Sequence, residues 1–138
     1  MKLLKSTIWF STLLLLVFAS CNKEPGVGGT SAITGQVWIL DFDYNPVLGV
    51  WEKSKEYAAP DTRVFIVYGT DSLASDVTRT NLDGYYRFNW LYPGDYTVYA
   101  YSEDTTFSIL SGLLTSELSV EITGRRQNVT ADTLIIID

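Results

Sequence analysis

Apolar and polar residues alternate in short runs over most of the chain, which is the pattern of strands with one buried face. Val, Ile, Thr, Tyr, Phe and Trp dominate these runs, and Gly, Pro, Asn and Asp recur between them. No segment carries a sustained helical period. The pattern predicts seven strands, at residues 33–40, 63–68, 76–80, 85–90, 96–102, 118–123 and 128–137.

Two stretches between these runs lack a clear pattern. Residues 41–60 are predicted to form a long insertion between the first two strands. Residues 107–114 are predicted to form either a short strand or one helical turn.

Residues 80–100 carry the clearest strand and turn signals. Asp83-Gly84 predicts a hairpin turn because glycine accepts the positive φ that such turns require, and Tyr92-Pro93-Gly94-Asp95 predicts a second turn, so that the strands here are predicted to be linked as hairpins. Strands joined in this way, each with one apolar face, need a second sheet to cover that face. The chain is therefore predicted to be all-β, with a single β-sandwich. The alternation assigns these side chains to its core: Tyr86, Phe88, Trp90, Tyr96, Val98, Leu134 and Ile136.

The beginning of the chain has a different character. Lys2 and Lys5 precede the apolar run 8–18, whose 11 residues are too few to cross a bilayer as a helix of about 20 residues. The run fits the core of a cleavable export signal, and small residues come directly before Cys21. This layout resembles the lipobox of bacterial lipoproteins. The resemblance implies a signal peptide at 1–20 and a lipidated Cys21, which becomes the first residue of the mature chain.

The segment after the cysteine bears on location and on domain boundaries. Asn22, rather than an aspartate, follows Cys21, which the lipoprotein resemblance associates with the outer membrane of a Gram-negative bacterium. Burial of each acyl CH₂ contributes about 0.8 kcal/mol, so two chains on one cysteine suffice for stable anchoring. Residues 21–31 are rich in Gly, Ser and Thr and are predicted to be a flexible tether, with the folded domain at 32–138.

The charge and the residue types that are missing exclude several functions. Residues 21–138 contain 8 basic and 16 acidic residues, for a formal charge of −8. A negative chain without a basic cluster does not suit nucleic acid. The sequence has no histidine and one cysteine, so it lacks the commonest general base, metal ligand and thiol nucleophile. We therefore predict no catalytic residues and no cofactor; a carboxylate-based hydrolase is the enzymatic alternative, but no convincing acid–base pair can be nominated for it.

The stretch 80–100, TNLDGYYRFNWLYPGDYTVYA, also resembles the carboxypeptidase regulatory-like domain family. Gly35-Gln36-Val37, Pro46, Gly49 and the apolar end 134–137 extend the resemblance. It implies an Ig-like or prealbumin-like β-sandwich of about seven strands, used as a spacer, stabiliser or binding module. The positions that match the family pattern are Thr80, Asp83, Gly84, Tyr86, Phe88, Leu91, Pro93, Gly94, Tyr96 and Val98.

Residues 41–52 have the spacing of a calcium-binding loop. Asp41, Asp43, Asn45 and Glu52 occupy ligand positions. Pro46, however, stands where such a loop needs glycine for a sharp turn, and the flanks are predicted strands rather than helices. We predict that the loop binds no calcium strongly; a looser site that uses Asp41 and Asp43 is the alternative.

Aromatic residues supply the candidate binding surface. Tyr44, Trp51, Tyr85, Tyr99 and Tyr101 are predicted to lie outside the core, where they would suit a glycan or an envelope protein. The alternative is that they pack across strands and stabilise the sheets. Three short sequences also resemble an O-glycosylation pattern of exported proteins: Asp71-Ser72-Leu73, Asp104-Thr105-Thr106 and Asp132-Thr133-Leu134.

Together these features predict a non-enzymatic, lipid-anchored protein of the cell envelope with a role in interaction or support. The alternative function is a carbohydrate-binding module that uses the exposed aromatic residues. The membrane, through Cys21, is the one partner that the lipobox resemblance itself implies.

Overall fold

The computed structural model describes residues 23–103 and 112–137, so Cys21 and the predicted signal peptide lie outside the described residues. The described residues build two sheets packed face to face, which confirms the predicted all-β sandwich. They form nine strands rather than about seven: β1 (Val27–Asn45), β2 (Val50–Ala58), β3 (Arg63–Tyr68), β4 (Asp76–Arg79), β5 (Tyr85–Leu91), β6 (Gly94–Glu103), β7 (Leu113–Ile122), β8 (Asn128–Thr130) and β9 (Leu134–Ile137).

The long strand β1 is the centre of the first sheet. Its first half pairs antiparallel with β5 and parallel with β8. Its second half pairs antiparallel with β2 and parallel with β9, and the ladder with β9 ends at Leu40 opposite Ile137. Beyond that point β2 is the only described strand that pairs with β1. Residues 41–45 and 50–55 therefore form a two-stranded extension of the sandwich, which we call the ribbon.

The second sheet has the strand order β4-β3-β6-β7 and is antiparallel throughout. In the β3–β6 ladder Val64 lies opposite Ala100 and Ile66 opposite Val98, and all four side chains are buried. These residues face the inner side of the first sheet across the core. The core thus lies between the two sheets, as alternation along β5 and β6 predicts. The predicted hairpins are wrong, because β5 lies in the first sheet while β4 and β6 lie in the second, and β5 pairs with neither of them.

Six of the seven core assignments made from the sequence are confirmed. The buried side chains are Tyr86, Phe88, Tyr96, Val98, Leu134 and Ile136. The assignment of Trp90 to the core is wrong, because its side chain is 70% exposed.

A bulge in β5 explains the position of Trp90. Between the ladder pairs Ile33–Phe88 and Ser31–Leu91, β5 contains one residue more than β1. Trp90 lies in this bulge with a φ of 62°, in the left-handed region that bulky residues rarely adopt. The extra residue shifts the alternation, so that Leu91 rather than Trp90 occupies the next core position.

The predicted insertion at 41–60 is a strand hairpin. β1 continues to Asn45, the chain turns at 46–49 with Gly49 at a φ of 69°, and β2 returns along β1. The Asn45 side-chain oxygen accepts hydrogen bonds from the backbone N–H groups of Val47 and Leu48, which fixes the turn. The sequence pattern missed β2 because nearly all of its residues are exposed, so it has no one-sided apolar face.

Two other predicted boundaries also differ from the structure. Residues 27–31, predicted as part of a flexible tether, form the beginning of β1, and Gly26 and Ser31 are buried. The predicted strand 128–137 is divided into β8 and β9, with Asp132 and Thr133 exposed between them. In both places the order comes from contacts with segments that are distant in sequence.

The first residues of the stretch that resembles the carboxypeptidase regulatory-like family connect β4 to β5 at one end of the sandwich. The Thr80 hydroxyl donates a hydrogen bond to the Ala59 carbonyl oxygen at 2.5 Å and accepts one from the Thr62 N–H at 2.9 Å. Gly84 has a φ of 75°, and a Cβ there would lie 2.6 Å from the Val37 carbonyl oxygen. Both residues are therefore required by the backbone packing at this end.

Candidate functional site

The five candidate aromatic residues lie in three separate places. Tyr44 and Trp51 lie opposite each other in the ribbon. Tyr99 and Tyr101 lie on β6, on the outer face of the second sheet, and Tyr85 begins β5 in the first sheet. The structure therefore does not unite them into one binding surface.

The ribbon has two faces of different chemistry. Tyr44 and Trp51 are cross-strand partners with ring centroids 5.5 Å apart at 60°, and Phe42 lies on the same face of β1. On the opposite face Asp43 lies across from Glu52. The aromatic face and the acidic face meet at the turn that residues 46–49 form.

The end of the ribbon is apolar and exposed. Val47 is 89% exposed and Leu48 is 63% exposed, and Val50 follows them at the start of β2. Val47 and Leu48 at the turn and Tyr44 and Trp51 beside it are thus exposed apolar side chains on a projecting hairpin, whereas Val50 lies opposite Asn45, on the face of Asp43 and Glu52. Apolar patches of this kind mark interaction sites more often than isolated exposed residues do.

The aromatic residues on the outer face of the second sheet pack on one another. Phe65, which the sequence did not single out, stacks on Tyr99 with centroids 5.1 Å apart at 16°. Tyr101 meets both rings edge-on, at 73° to Phe65 and 86° to Tyr99. Burial raises the pKa of Tyr99, and the neighbouring Tyr101 hydroxyl raises it further. Since the ring faces are turned toward each other, the cluster stabilises the sheet more than it offers a flat platform.

The opposite end of the sandwich from the ribbon is where the chain enters it. We call this end the N-terminal pole; it comprises residues 23–31, 90–95 and 121–127. The Tyr96 hydroxyl lies in its centre, where it accepts a hydrogen bond from the Gly26 N–H at 3.0 Å and donates one to the Tyr92 carbonyl oxygen at 2.7 Å. The Tyr92 N–H in turn donates to the Gly26 carbonyl oxygen at 2.9 Å. One tyrosine thus ties the entering chain to the β5–β6 turn.

A second set of hydrogen bonds fixes the β7–β8 loop at the same pole. The Gln127 side-chain oxygen accepts from the N–H groups of Thr123 and Gly124, both at 3.1 Å. The Ser31 hydroxyl donates to the Gly124 carbonyl oxygen and accepts from the Gln127 N–H. The Thr30 hydroxyl accepts from the backbone N–H of residue 126 at 3.1 Å. Because so many backbone groups are bonded, Arg125 is carried by a fixed loop.

The N-terminal pole contains two adjoining grooves. Lys23, Tyr92 and Arg125 line both of them, and the Lys23 ammonium lies 4.6 Å from the centre of the Tyr92 ring. The larger groove, of about 540 Å³, is also lined by Asp95 and Glu121, which are opposite each other in the β6–β7 ladder. The pole therefore presents both cationic and anionic groups, all of them exposed.

The carboxylates of the N-terminal pole and of the ribbon do not form a closed catalytic or metal site among the described residues. Asp95 and Glu121 are exposed, and no described side chain donates a hydrogen bond to either. In the ribbon, one oxygen of Glu52 accepts from the Asn45 amide at 3.0 Å, while the Asn45 oxygen is engaged by the turn. Among residues 23–103 and 112–137 no group of three His, Cys, Asp or Glu side chains could hold a metal ion. That residues 41–52 bind no calcium strongly stays a prediction, which calorimetry on the purified protein would check.

Trp90 is the exposed residue that the sequence pattern failed to identify. It lies at the N-terminal pole, next to Leu91, which pairs with Val27 and Ser31. A signal was present in the sequence: Trp90 and Leu91 are adjacent apolar residues, and neighbours in a strand cannot both face the core. Which of the two turns outward depends on the bulge, which the pattern does not show.

The chain matches no protein-family model and no curated protein sequence. In the described part of the chain, no helix is long and apolar enough to cross a membrane.

Proposed function

We propose that this chain is a non-enzymatic protein of the cell envelope, held in the outer membrane of a Gram-negative bacterium by lipid on Cys21. Its β-sandwich acts as a spacer that presents the ribbon to a partner protein in the envelope. The proposal includes membership of the carboxypeptidase regulatory-like group, for which the backbone roles of Thr80 and Gly84 are the structural support.

The observation that carries the proposal is the placement of the two ends of β1. Lys23 lies at the N-terminal pole, and the ribbon lies at the other end of β1. A strand of 19 residues spans roughly 60 Å when it is straight. A lipid on Cys21 would therefore lie beside the N-terminal pole, and the exposed apolar end of the ribbon would lie at the far end of β1 from the lipid.

The ribbon supplies the interaction surface in this arrangement. Tyr44 and Trp51 offer large, rigid apolar area with polar tips, which is the composition that favours protein–protein contacts. Asp43 and Glu52 lie on the reverse face, but Lys55 lies opposite Asp41 and Lys53 lies opposite Phe42 on the aromatic face. The ribbon therefore favours a partner whose apolar cleft has a rim of mixed charge. The two-stranded ribbon has no other described function in the fold, since the core is complete without it.

Cell fractionation of a Cys21→Ala variant tests the anchor. We expect the variant to leave the membrane fraction or to accumulate as an uncleaved precursor without lipid. The mass of the mature form, measured beside the wild type, checks the modification itself. Unchanged membrane partition together with an unchanged mature mass would contradict lipidation.

Affinity purification from envelope extracts tests the ribbon. The bait is the full chain, as wild type, as Trp51→Ser and as Tyr85→Ser. Trp51 and Tyr85 are 56% and 54% exposed, so the second variant is a matched control for the loss of an exposed aromatic residue. We expect a partner that wild type and Tyr85→Ser retain and Trp51→Ser loses. Partners retained equally by all three baits would remove the ribbon from the proposed function.

A carbohydrate-binding module remains the alternative, with weaker support. Sugar rings need exposed aromatic faces, and Phe65 and Tyr99 turn their faces toward each other. Tyr101 and Tyr85 are the more exposed members of the candidate set on the sandwich itself. Retention of the wild type on envelope glycans, with loss in Tyr101→Ser, would favour this alternative.

A further inference from the structure

We propose that the N-terminal pole is a membrane-docking surface, in which Trp90 lies in the headgroup region of the bilayer that holds the protein. The inference rests on the proposed lipid anchor at Cys21, and it goes beyond it. The anchor alone would leave the domain free to tumble at the end of its lipid. Docking of the pole would instead fix the orientation of the sandwich and hold the ribbon away from the surface.

The conformation of Trp90 is the first observation. Core alternation along β5 would bury this side chain, and the bulge instead turns it outward, where it is 70% exposed. Bulges re-aim side chains, and a bulky residue in the left-handed region is a strained conformation that a glycine would accept without cost. The fold therefore exposes a large aromatic side chain to water at a position whose backbone conformation favours glycine.

The location of Trp90 is the second observation. The described chain begins at Lys23, two positions after Cys21, and the Lys23 ammonium donates a hydrogen bond to the hydroxyl of Tyr92, two positions after Trp90. Val27, which pairs with Leu91, is also exposed. A bilayer that receives the lipid on Cys21 is thus the nearest large surface to Trp90. Tryptophan is enriched at membrane–water interfaces because its ring is apolar while its N–H keeps a polar partner.

The charges of the pole fit a phospholipid headgroup. Lys23 and Arg125 line both grooves, and Arg125 stands on the loop that Gln127 fixes. These cations suit the phosphate, while Asp95 and Glu121 in the larger groove suit a headgroup ammonium. The pole balances three cations against three carboxylates (Lys23, Arg125 and Arg126; Glu24, Asp95 and Glu121), so it is repelled less by an anionic surface than the domain as a whole, whose charge is −8. Phosphatidylethanolamine carries both charges and is the lipid chosen for the test.

Quenching of tryptophan fluorescence by brominated lipid tests the docking. The lipidated mature protein contains Trp38, Trp51 and Trp90 and is reconstituted into phosphatidylethanolamine–phosphatidylglycerol vesicles brominated near the carbonyl ends of the acyl chains. We compare the wild type with Trp90→Phe and Trp51→Phe. We expect wild type and Trp51→Phe to lose part of their emission in brominated vesicles, and Trp90→Phe to lose none. Trp51→Phe is the matched control because it removes an exposed tryptophan from the distal ribbon.

Flotation of the same vesicles separates failure of the docking from failure of the anchor. Protein that floats with the vesicles but shows no quenching overturns the docking and leaves the lipid anchor in place. Quenching that disappears in Trp51→Phe instead of Trp90→Phe also overturns it, since the ribbon would then face the bilayer. Protein that does not float contradicts the anchor and the docking together. If Trp90→Phe misfolds, the wild type and Trp51→Phe still decide. A blue-shifted and quenched emission in Trp51→Phe must come from Trp38 or Trp90. A Trp38→Phe variant distinguishes these two.

Discussion

The N-terminal pole and the ribbon each expose a tryptophan, and they hold it in different ways. Trp90 lies in a strained bulge within a region where hydrogen bonds join the entering chain, the β5–β6 turn and the β7–β8 loop. Trp51 lies in an ordinary ladder, and its described ring contact is with Tyr44 on the neighbouring strand. One surface is built by many distant segments, and the other by a single local hairpin.

This difference teaches which parts of the molecule depend on the whole fold. An isolated two-stranded hairpin is marginally stable in water, so the ribbon owes its order to the sandwich from which it extends. The sandwich, in contrast, gains little from the ribbon, because its core is complete without it. Substitutions in the pole or core should therefore change global stability, and substitutions in the ribbon should change binding.

The largest expected effect comes from the core. Phe88→Ala removes a buried ring opposite Ile33, and we expect the free energy of unfolding to fall by about 3–5 kcal/mol because a cavity is left. Trp51→Ala in the ribbon should lower it by less than about 1 kcal/mol. Urea denaturation of both variants checks the comparison. Losses of similar size would show that the ribbon is part of the cooperative core.

The next effect separates two buried tyrosines. Tyr96→Phe leaves the Gly26 N–H and the Tyr92 carbonyl without their partner, and we expect a loss of about 1–3 kcal/mol in the free energy of unfolding. The Tyr86 hydroxyl is buried with no hydrogen-bond partner in the described structure. Tyr86→Phe should therefore be neutral or stabilise by up to about 1 kcal/mol. A destabilising Tyr86→Phe would mean that this hydroxyl is paired.

Alkaline pH should destabilise the sandwich. Burial raises the pKa of Tyr86 to about 12, whereas an unfolded tyrosine has a pKa of about 10. Below pH 10 both states are neutral and the full stability is present. Between pH 10 and 12 the unfolded state loses its proton first, so the free energy of unfolding falls by about 1.4 kcal/mol per pH unit.

The same titration in Tyr86→Phe provides the control. We expect a shallower fall between pH 10 and 12, but not a flat profile. Burial also raises the pKa of Tyr68 and of Tyr96, so these two residues contribute in the same direction. A slope identical to that of the wild type would show that Tyr86 ionises normally in the folded protein.

The smallest effect distinguishes the two exposed tryptophans by its sign. Trp90→Gly relieves the left-handed backbone and should raise the free energy of unfolding by about 1 kcal/mol. Trp51→Gly removes a cross-strand aromatic pair from regular strand geometry and should lower it by about 1 kcal/mol. Thermal denaturation of the two variants side by side is sufficient. Destabilisation in both cases would place the Trp90 ring in contacts that support the fold.

The sequence alone determined the parts of the fold that depend on local chemistry. Alternation in 85–90 and 96–102 predicts which side chains are buried because side chains in a strand point to opposite faces in turn. Asp83-Gly84 and Pro93-Gly94 predict turns because their backbone preferences are local. The all-β sandwich follows, since two such strands need a facing sheet. Cys21 and its apolar leader likewise form a local pattern, and lipidation there stays a prediction.

Only the tertiary structure decided where the candidate surfaces lie. The sequence pattern did not predict β2, and so missed the ribbon, because a strand exposed on both faces has no apolar period. Residues 26–31 are predicted as part of a tether because the groups that order them lie far along the chain: Tyr96 binds Gly26, and Gln127 binds Ser31. Trp90 turns outward because one extra residue in β5 shifts the register against β1. Each of these outcomes depends on which strands meet and in what register, and long-range pairing leaves no local trace in the sequence of either partner.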